Sequence, residues 1–357
     1  DASWLGECRA VAARALFELC RHEALRPSLL SGGSVFRLLE LTAAAEVSIG
    51  RCGIQALCAL AESEALRPQL LAEQGLLQGL ANLTSSEDAD VQKYALLTVM
   101  LLASQVSRSH HALFLQLLPA IPLDALCGSP SAELRHACAR LIYLLAKPPN
   151  EPRQPALDGR SDDDAPGWLR GLLDAAARPL IGLLLSDQLA VRSTAVQAVG
   201  RLTASSPYAR RLLLATDALP PLLSILGGDD PQARQHAAFA LSDLSTTAGG
   251  DAHFAAEPSI RALVGATREL PRSQPAVAVA ALRSLDNVCA LSAGGVASLH
   301  AVGLPTLRAF LVALGRDMAP LRGAQLPAAK ILWRLAESAG RGTGGTGGTG
   351  GTGGTGG

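Results

Sequence analysis

The segment EALRPSLL at 23–30 returns as EALRPQLL at 64–71, 41 residues later and with seven of eight letters kept. No helix or strand has a period of that length, so the repeated object is a whole structural unit. The stretch preceding each copy extends the match. An apolar or small residue taken as position 0 is followed by others at positions 4, 7, 8 and 11, which is one face of an α-helix. The first unit reads Cys8, Ala12, Ala15, Leu16, Leu19, and the second reads Ile49, Gly53, Ala56, Leu57, Leu60.

The same template fits six more stretches, with position 0 at Val91, Leu134, Val191, Ala233, Val277 and Ala324. These starts step by 41, 42, 43, 57, 42, 44 and 47 residues. Position 4 is always Ala, Gly or Cys, as expected where another helix backbone crosses at short distance, and position 11 is always Leu or Val, a plug into a continuous core. Upstream of these helices lie second apolar segments such as GSVFRLLELT, GLLQGLANLT, ARPLIGLLLS, ALPPLLSILG, SIRALVGATREL and GLPTLRAFLVAL. Several are preceded by a short helix closed by Gly or a turn. Each unit is therefore expected to be a short, a medium and a long helix.

Composition agrees with an all-α chain. Hydrophobic residues make up 48% and aromatics 3%, so the core is built from Leu, Ala, Val and Ile rather than from large rings. Leu and Ala are strong helix formers. A chain of 357 residues exceeds one compact core, and a solenoid of stacked units escapes that limit.

This unit resembles the armadillo repeat. The best-kept stretches are ALPPLLSILGGDDPQARQHAAFALSDLSTTAGG and SQPAVAVAALRSLDNVCALSAGG, with the Pro-Leu-Leu helix, the acidic turn and the third helix of that family. The resemblance covers nearly the whole chain. It implies a right-handed α-solenoid of about eight three-helix repeats over 1–340. The 57-residue step marks an insertion at 147–167, KPPNEPRQPALDGRSDDDAPG, too polar to bury and expected as a solvated loop. Residues 341–357 end in Gly/Thr repeats and are expected as a flexible tail.

No catalytic constellation emerges. There is no phosphate-binding loop, nucleophile elbow, HExxH or dinucleotide fingerprint, and no cofactor or metal is expected. His110 and His111 read as a turn or helix start, and His236 and His300 as surface or cap residues without obvious partners. The seven cysteines show no metal-ligand spacing and suit a reducing intracellular compartment, cytoplasmic or nuclear, with an organelle or cilium as alternatives. The opening, DASWLGECRA, carries neither Met nor a signal-peptide pattern and constrains localisation weakly. The longest apolar run, 95–103, is shorter than the roughly 20 residues a bilayer crossing needs.

Lys plus Arg and Asp plus Glu balance at 31 each, which argues against a general nucleic-acid field. The function expected is a non-enzymatic scaffold binding protein segments. The alternatives are a structural subunit of a large assembly and, third, a helical nucleic-acid-binding repeat.

In armadillo proteins the third helices line the partner groove, and an Asn at position 10 commonly bonds an extended peptide. Here position 10 reads Glu18, Ala59, Leu101, Leu144, Arg201, Asp243, Asn287 and Arg334, while position 6, an aromatic in nuclear-import adaptors, reads Arg14, Gln55, Leu97, Arg140, Gln197, Phe239, Arg283 and Lys330. The regular Asn/Trp ladder is absent. The expected partner-binding residues are Arg201, Phe239, Asp243, Arg283, Asn287, Lys330 and Arg334, with Asn287 reading the peptide backbone and Arg201 and Arg334 favouring acidic partners. Leu97, Leu101 and Leu144 form an apolar strip in the N-terminal half.

Overall fold

The computed structural model describes residues 2–30, 34–44, 46–105, 108–147, 165–247, 250–269, 274–302 and 322–343. All regular structure among them is helical. The chain forms two compact units, Asp1–Ala218 and Leu219–Gly357. In the first, the helices are α1 (Ala2–Arg21), α2 (Arg26–Leu29), α3 (Ser34–Thr42), α4 (Val47–Glu62), α5 (Arg67–Ala72), α6 (Leu76–Leu83) and α7 (Ala89–Ala103). They continue as α8 (Arg108–Leu117), α9 (Leu123–Cys127), α10 (Ala132–Leu145), α11 (Gly167–Leu184), α12 (Leu189–Ser205) and α13 (Pro207–Ala215). The second unit holds α14 (Leu219–Leu226), α15 (Pro231–Leu244), α16 (Asp251–Phe254), α17 (Glu257–Glu269), α18 (Pro275–Leu291), α19 (Ala293–Val302) and α20 (Arg322–Thr343).

The long helices carry the template and stack side by side. In the first unit α1 packs on α4, α4 on α7, α7 on α10 and α10 on α12; in the second α15 packs on α18 and α18 on α20. Each is backed by its medium helix, α3 on α4, α6 on α7, α9 on α10, α11 on α12, α14 on α15 and α17 on α18. The chain is thus an all-α solenoid. Template residues such as Leu60, Leu102, Leu145, Leu202, Leu244 and Leu335 are buried. Each such side chain taken fully out of water stabilises the stack by about 1.5–3 kcal/mol.

The small residue at position 4 has the cause its spacing suggests. A Cβ on Gly53 would stand 3.0 Å from the Leu38 carbonyl oxygen and 3.1 Å from the Leu41 Cβ, both on α3. The medium helix crosses there. Gly75 begins α6 at φ +80, the left-handed conformation that a glycine adopts without steric penalty.

The repeated EALRP segment encodes a latch. Arg26 Nε donates to the Cys20 carbonyl at 2.8 Å, and Arg67 Nε donates to the Ala61 carbonyl at 2.7 Å, each closing the end of the preceding long helix. Each guanidinium also reaches one unit on: Arg26 Nη2 to Glu62 at 2.9 Å, Arg67 Nη1 to the Ser104 hydroxyl at 2.8 Å. Both arginines are buried. A second latch uses histidine. His111 Nε2 donates to the Leu145 carbonyl at 2.9 Å, and His300 Nε2 lies 3.2 Å from the Leu335 carbonyl. Leu145 and Leu335 both stand at position 11. His111 is buried with its ring edge-on to Trp168, centroids 5.3 Å apart. These histidines are structural: His111 sits near the start of α8, and the expectation that His300 lacks a partner is corrected.

Three further expectations change. On α1, Cys8, Ala12, Ala15 and Leu19 are exposed rather than buried, because no helix among the described residues covers that face. The segment ARPLIGLLLS does not form a helix of its own but ends α11, which carries Pro179 inside it. Pro179 removes one backbone donor near the expected joint without ending the helix. The last helix runs to Thr343, three residues into the expected tail. Residues 148–164 of the insertion, the segment GLPTLRAFLVAL and the tail from 344 lie outside the described residues.

Candidate partner-binding face

Positions 6 and 10 are almost one helical turn apart, so each long helix presents them as a vertical pair. In the second unit the two columns behave differently. Position 6 faces solvent: Phe239 on α15 is 41% exposed, Arg283 on α18 is exposed, and the Lys330 side chain on α20 is 49% exposed. Position 10 is half-buried in Asp243, Asn287 and Arg334.

Two members of that inner column reach back to the preceding long helix. Asn287 Nδ2 donates to the Ser245 hydroxyl at 3.0 Å, which in turn donates to the Ser242 carbonyl at 2.8 Å. Arg334 Nη1 donates to the Asp286 carbonyl at 3.0 Å and pairs with the Asp286 carboxylate, whose other oxygen lies 4.0 Å from Lys330 Nζ. Asp286 was not among the expected residues. It stands at position 9, and the signal that would have found it is that a long cation at position 10 must reach something one helix back.

In the first unit Arg201 follows the same pattern with different chemistry. Its Nη1 donates to the Tyr143 carbonyl at 2.9 Å and its Nη2 to the Tyr143 hydroxyl. Its guanidinium carbon stands 3.5 Å from the centroid of the Tyr143 ring, a cation–π contact. Tyr143 is again position 9. Arg140, exposed at position 6 of the same helix α10, places its guanidinium carbon 5.0 Å from the same centroid. Burial lowers the Arg201 pKa, the Tyr143 side chain opposes that, and the like charge of Arg140 adds to the lowering. Leu97, Leu101 and Leu144 are half-buried, so the expected apolar strip is only partly open.

Six of the seven expected residues thus fall into two sets, and Asp243 stands half-buried in the inner column. Phe239, Arg283 and Lys330 form an outward row on three successive long helices; Arg201, Asn287 and Arg334 bind helix to helix. Among the described residues no group of three or more His, Cys, Asp or Glu is placed to hold a metal ion. Nor is any helix among the described residues long and apolar enough to cross a membrane.

No family model matches the sequence, and no curated protein matches it. Solved structures do. An engineered protein aligns at TM-score 0.67 over 91% of this chain and 74% of its own, at 19% identity. A designed armadillo repeat protein aligns at TM-score 0.54 over 72% of this chain and 99% of its own, at 20% identity. A chain from a study of the phosphorylation switch controlling the interaction between cadherin and β-catenin aligns at TM-score 0.71 and 20% identity, over 92% of this chain and 59% of that one. The recurring three-helix units, their side-by-side long helices and these alignments together give the chain the armadillo-like repeat fold.

Proposed function

We propose that the protein is a non-enzymatic scaffold that binds an extended protein segment across the long helices of its second unit. The observation that carries this reading is the outward row of Phe239, Arg283 and Lys330, one side chain from each of α15, α18 and α20 at the same register position. Packed helices stand about 8–10 Å apart and an extended chain rises about 3.3 Å per residue, so a strand crossing the row meets a new helix every two to three residues. Phe239 offers an apolar face, and Arg283 has no partner among the described residues. Asn287 spends a donor on Ser245, and its amide oxygen supplies the acceptor for a partner backbone N–H. Among the structural neighbours, a designed armadillo repeat protein is in complex with the peptide (KR)4. Seven free thiols suit a reducing intracellular setting for this work.

The test is affinity capture from cell extract with the full chain, comparing the wild type with the double variant Phe239→Ala, Arg283→Ala. The expected outcome is loss of the captured partners with unfolding stability changed by less than about 0.5 kcal/mol, because exposed positions contribute little to the core. Equal capture by the variant of one stoichiometric complex would replace this reading with that of a structural subunit held through other surfaces.

A further inference from the structure

We propose that Arg140, Tyr143 and Arg201 form a seat for an oxyanion carried by a peptide side chain, either a carboxylate or a phosphoryl group. The seat lies in the first unit and does not rest on the reading of the second.

Two guanidinium groups share one ring, at 5.0 and 3.5 Å from its centroid. Like charges gathered in this way repel, and Arg201 is half-buried, so part of its hydration is lost. Several other cations on these helices meet a carboxylate: Arg51 faces Asp88 and Asp90, Lys93 faces Glu133, Arg135 faces Asp187, and the neighbouring cations Lys330 and Arg334 share Asp286. Among the described residues neither Arg140 nor Arg201 pairs with a carboxylate. The aromatic face of Tyr143 and its carbonyl and hydroxyl oxygens hold Arg201 in place without neutralising it.

A fixed positive pair with an uncharged support is the arrangement that gains most from an incoming anion. Tyr143 engages one Nη1 and one Nη2 hydrogen of Arg201, which leaves three of its five N–H donors. Arg140 adds a planar fork that lies over the ring and makes no hydrogen bond or ion pair among the described residues. A two-oxygen acceptor is bound bidentately by such a fork, and desolvation at Arg201 strengthens the attraction. The exposure of Arg140 provides the way in.

The experiment uses the full chain and fluorescein-labelled peptides read by anisotropy: oligoglutamate, an oligoglycine bearing one phosphoserine, and oligoglutamine. The expected result is that the anionic peptides bind and oligoglutamine does not, with the tighter of the two naming the preferred oxyanion. Arg140→Gln should weaken that binding about tenfold with its circular dichroism unchanged. Arg201→Gln should weaken it at least as much; since that variant also loses an interhelical bond, Arg140→Gln is the deciding one. Arg37→Gln, the same charge change at an exposed residue paired with Glu40, should bind like the wild type. Failure of both anionic peptides to bind the folded protein, binding of oligoglutamine as tight as oligoglutamate, wild-type affinity in Arg140→Gln, or equal weakening by Arg37→Gln would each overturn the proposal.

Discussion

Arg201 in the first unit and Arg334 in the second occupy one register position and donate to the same backbone group, the carbonyl of position 9 on the preceding long helix, at 2.9 and 3.0 Å. Their side-chain partners differ: an aromatic ring with a hydroxyl for Arg201, a carboxylate for Arg334. The mechanical function of the position is therefore kept while its charge is free to change. Neutralised by Asp286, Arg334 is a tie between helices; supported by Tyr143, Arg201 is a tie that also keeps its field. One column of a repeat protein can thus alternate between holding the stack and facing a ligand without altering the backbone.

The largest expected effect tests the ionic half of this contrast. Asp286→Ala leaves Arg334 half-buried without its anion and should cost about 3 kcal/mol in urea unfolding. A loss under about 1 kcal/mol would mean that the carbonyl alone holds Arg334. Cys289, one turn along from Asp286, reports on the same place: burial raises its thiol to about 12, as burial raises Cys58 to about 11. Iodoacetamide at neutral pH should label exposed Cys8 and spare both buried thiols, and Asp286→Ala should speed labelling of Cys289 but not of Cys58.

Next in size is a comparison of packing. Ala195 on α12 and Ala281 on α18 are both buried at position 4. Ala195→Leu and Ala281→Leu should each cost about 2 kcal/mol by overpacking. Unequal losses would show that the two units differ in core tightness as well as charge.

Tyr143→Phe keeps the ring under Arg201 and removes only the hydroxyl acceptor. The expected loss is about 1 kcal/mol, well below that of Asp286→Ala, and a loss as large would erase the distinction between aromatic and ionic support.

The smallest effect is read by pH. The hydrogen bond from Arg51 holds the Asp88 carboxyl below its ordinary range, helped by the α7 backbone N–H groups that Asp88 caps. A depressed folded value means that this stabilisation is complete above the unfolded carboxylate value, about 3.9, and is lost as pH falls through the folded one. Asp88→Asn should flatten the acid limb of the stability curve. The Arg201–Tyr143 contact contains no carboxylate, so Tyr143→Phe should leave that limb unchanged.

Much of the fold was legible because stacked helices impose a period on apolar and small residues. Ile49, Val91, Val191 and Val277 are buried as the template expects, and Gly53 meets the α3 backbone that its size implies. What the period could not show is anything that depends on reach. Arg26, Arg67, His111, Arg201 and Arg334 bond to atoms about one unit away, and an amphipathic pattern records only the side of the helix from which a residue leaves. The exposure of α1 was hidden for the same reason: a pattern names a face that wants cover without saying that cover exists. At the candidate site, the position-6 residues Phe239, Arg283 and Lys330 are exposed, whereas the ties made by Asn287 and Arg334 depend on Ser245 and Asp286, which lie outside both chosen columns.

The arginine latch of the repeated EALRP segment bears on how such a chain can lengthen. Arg26 and Arg67 each carry a hook, and the eyes they catch, Cys20 and Ala61, are spaced by the same 41 residues. A stretch of one full period, wherever it is cut, contains one hook and one eye. Tandem copying of that stretch in register therefore produces a joint whose two halves fit at once, before any later substitution has adjusted them.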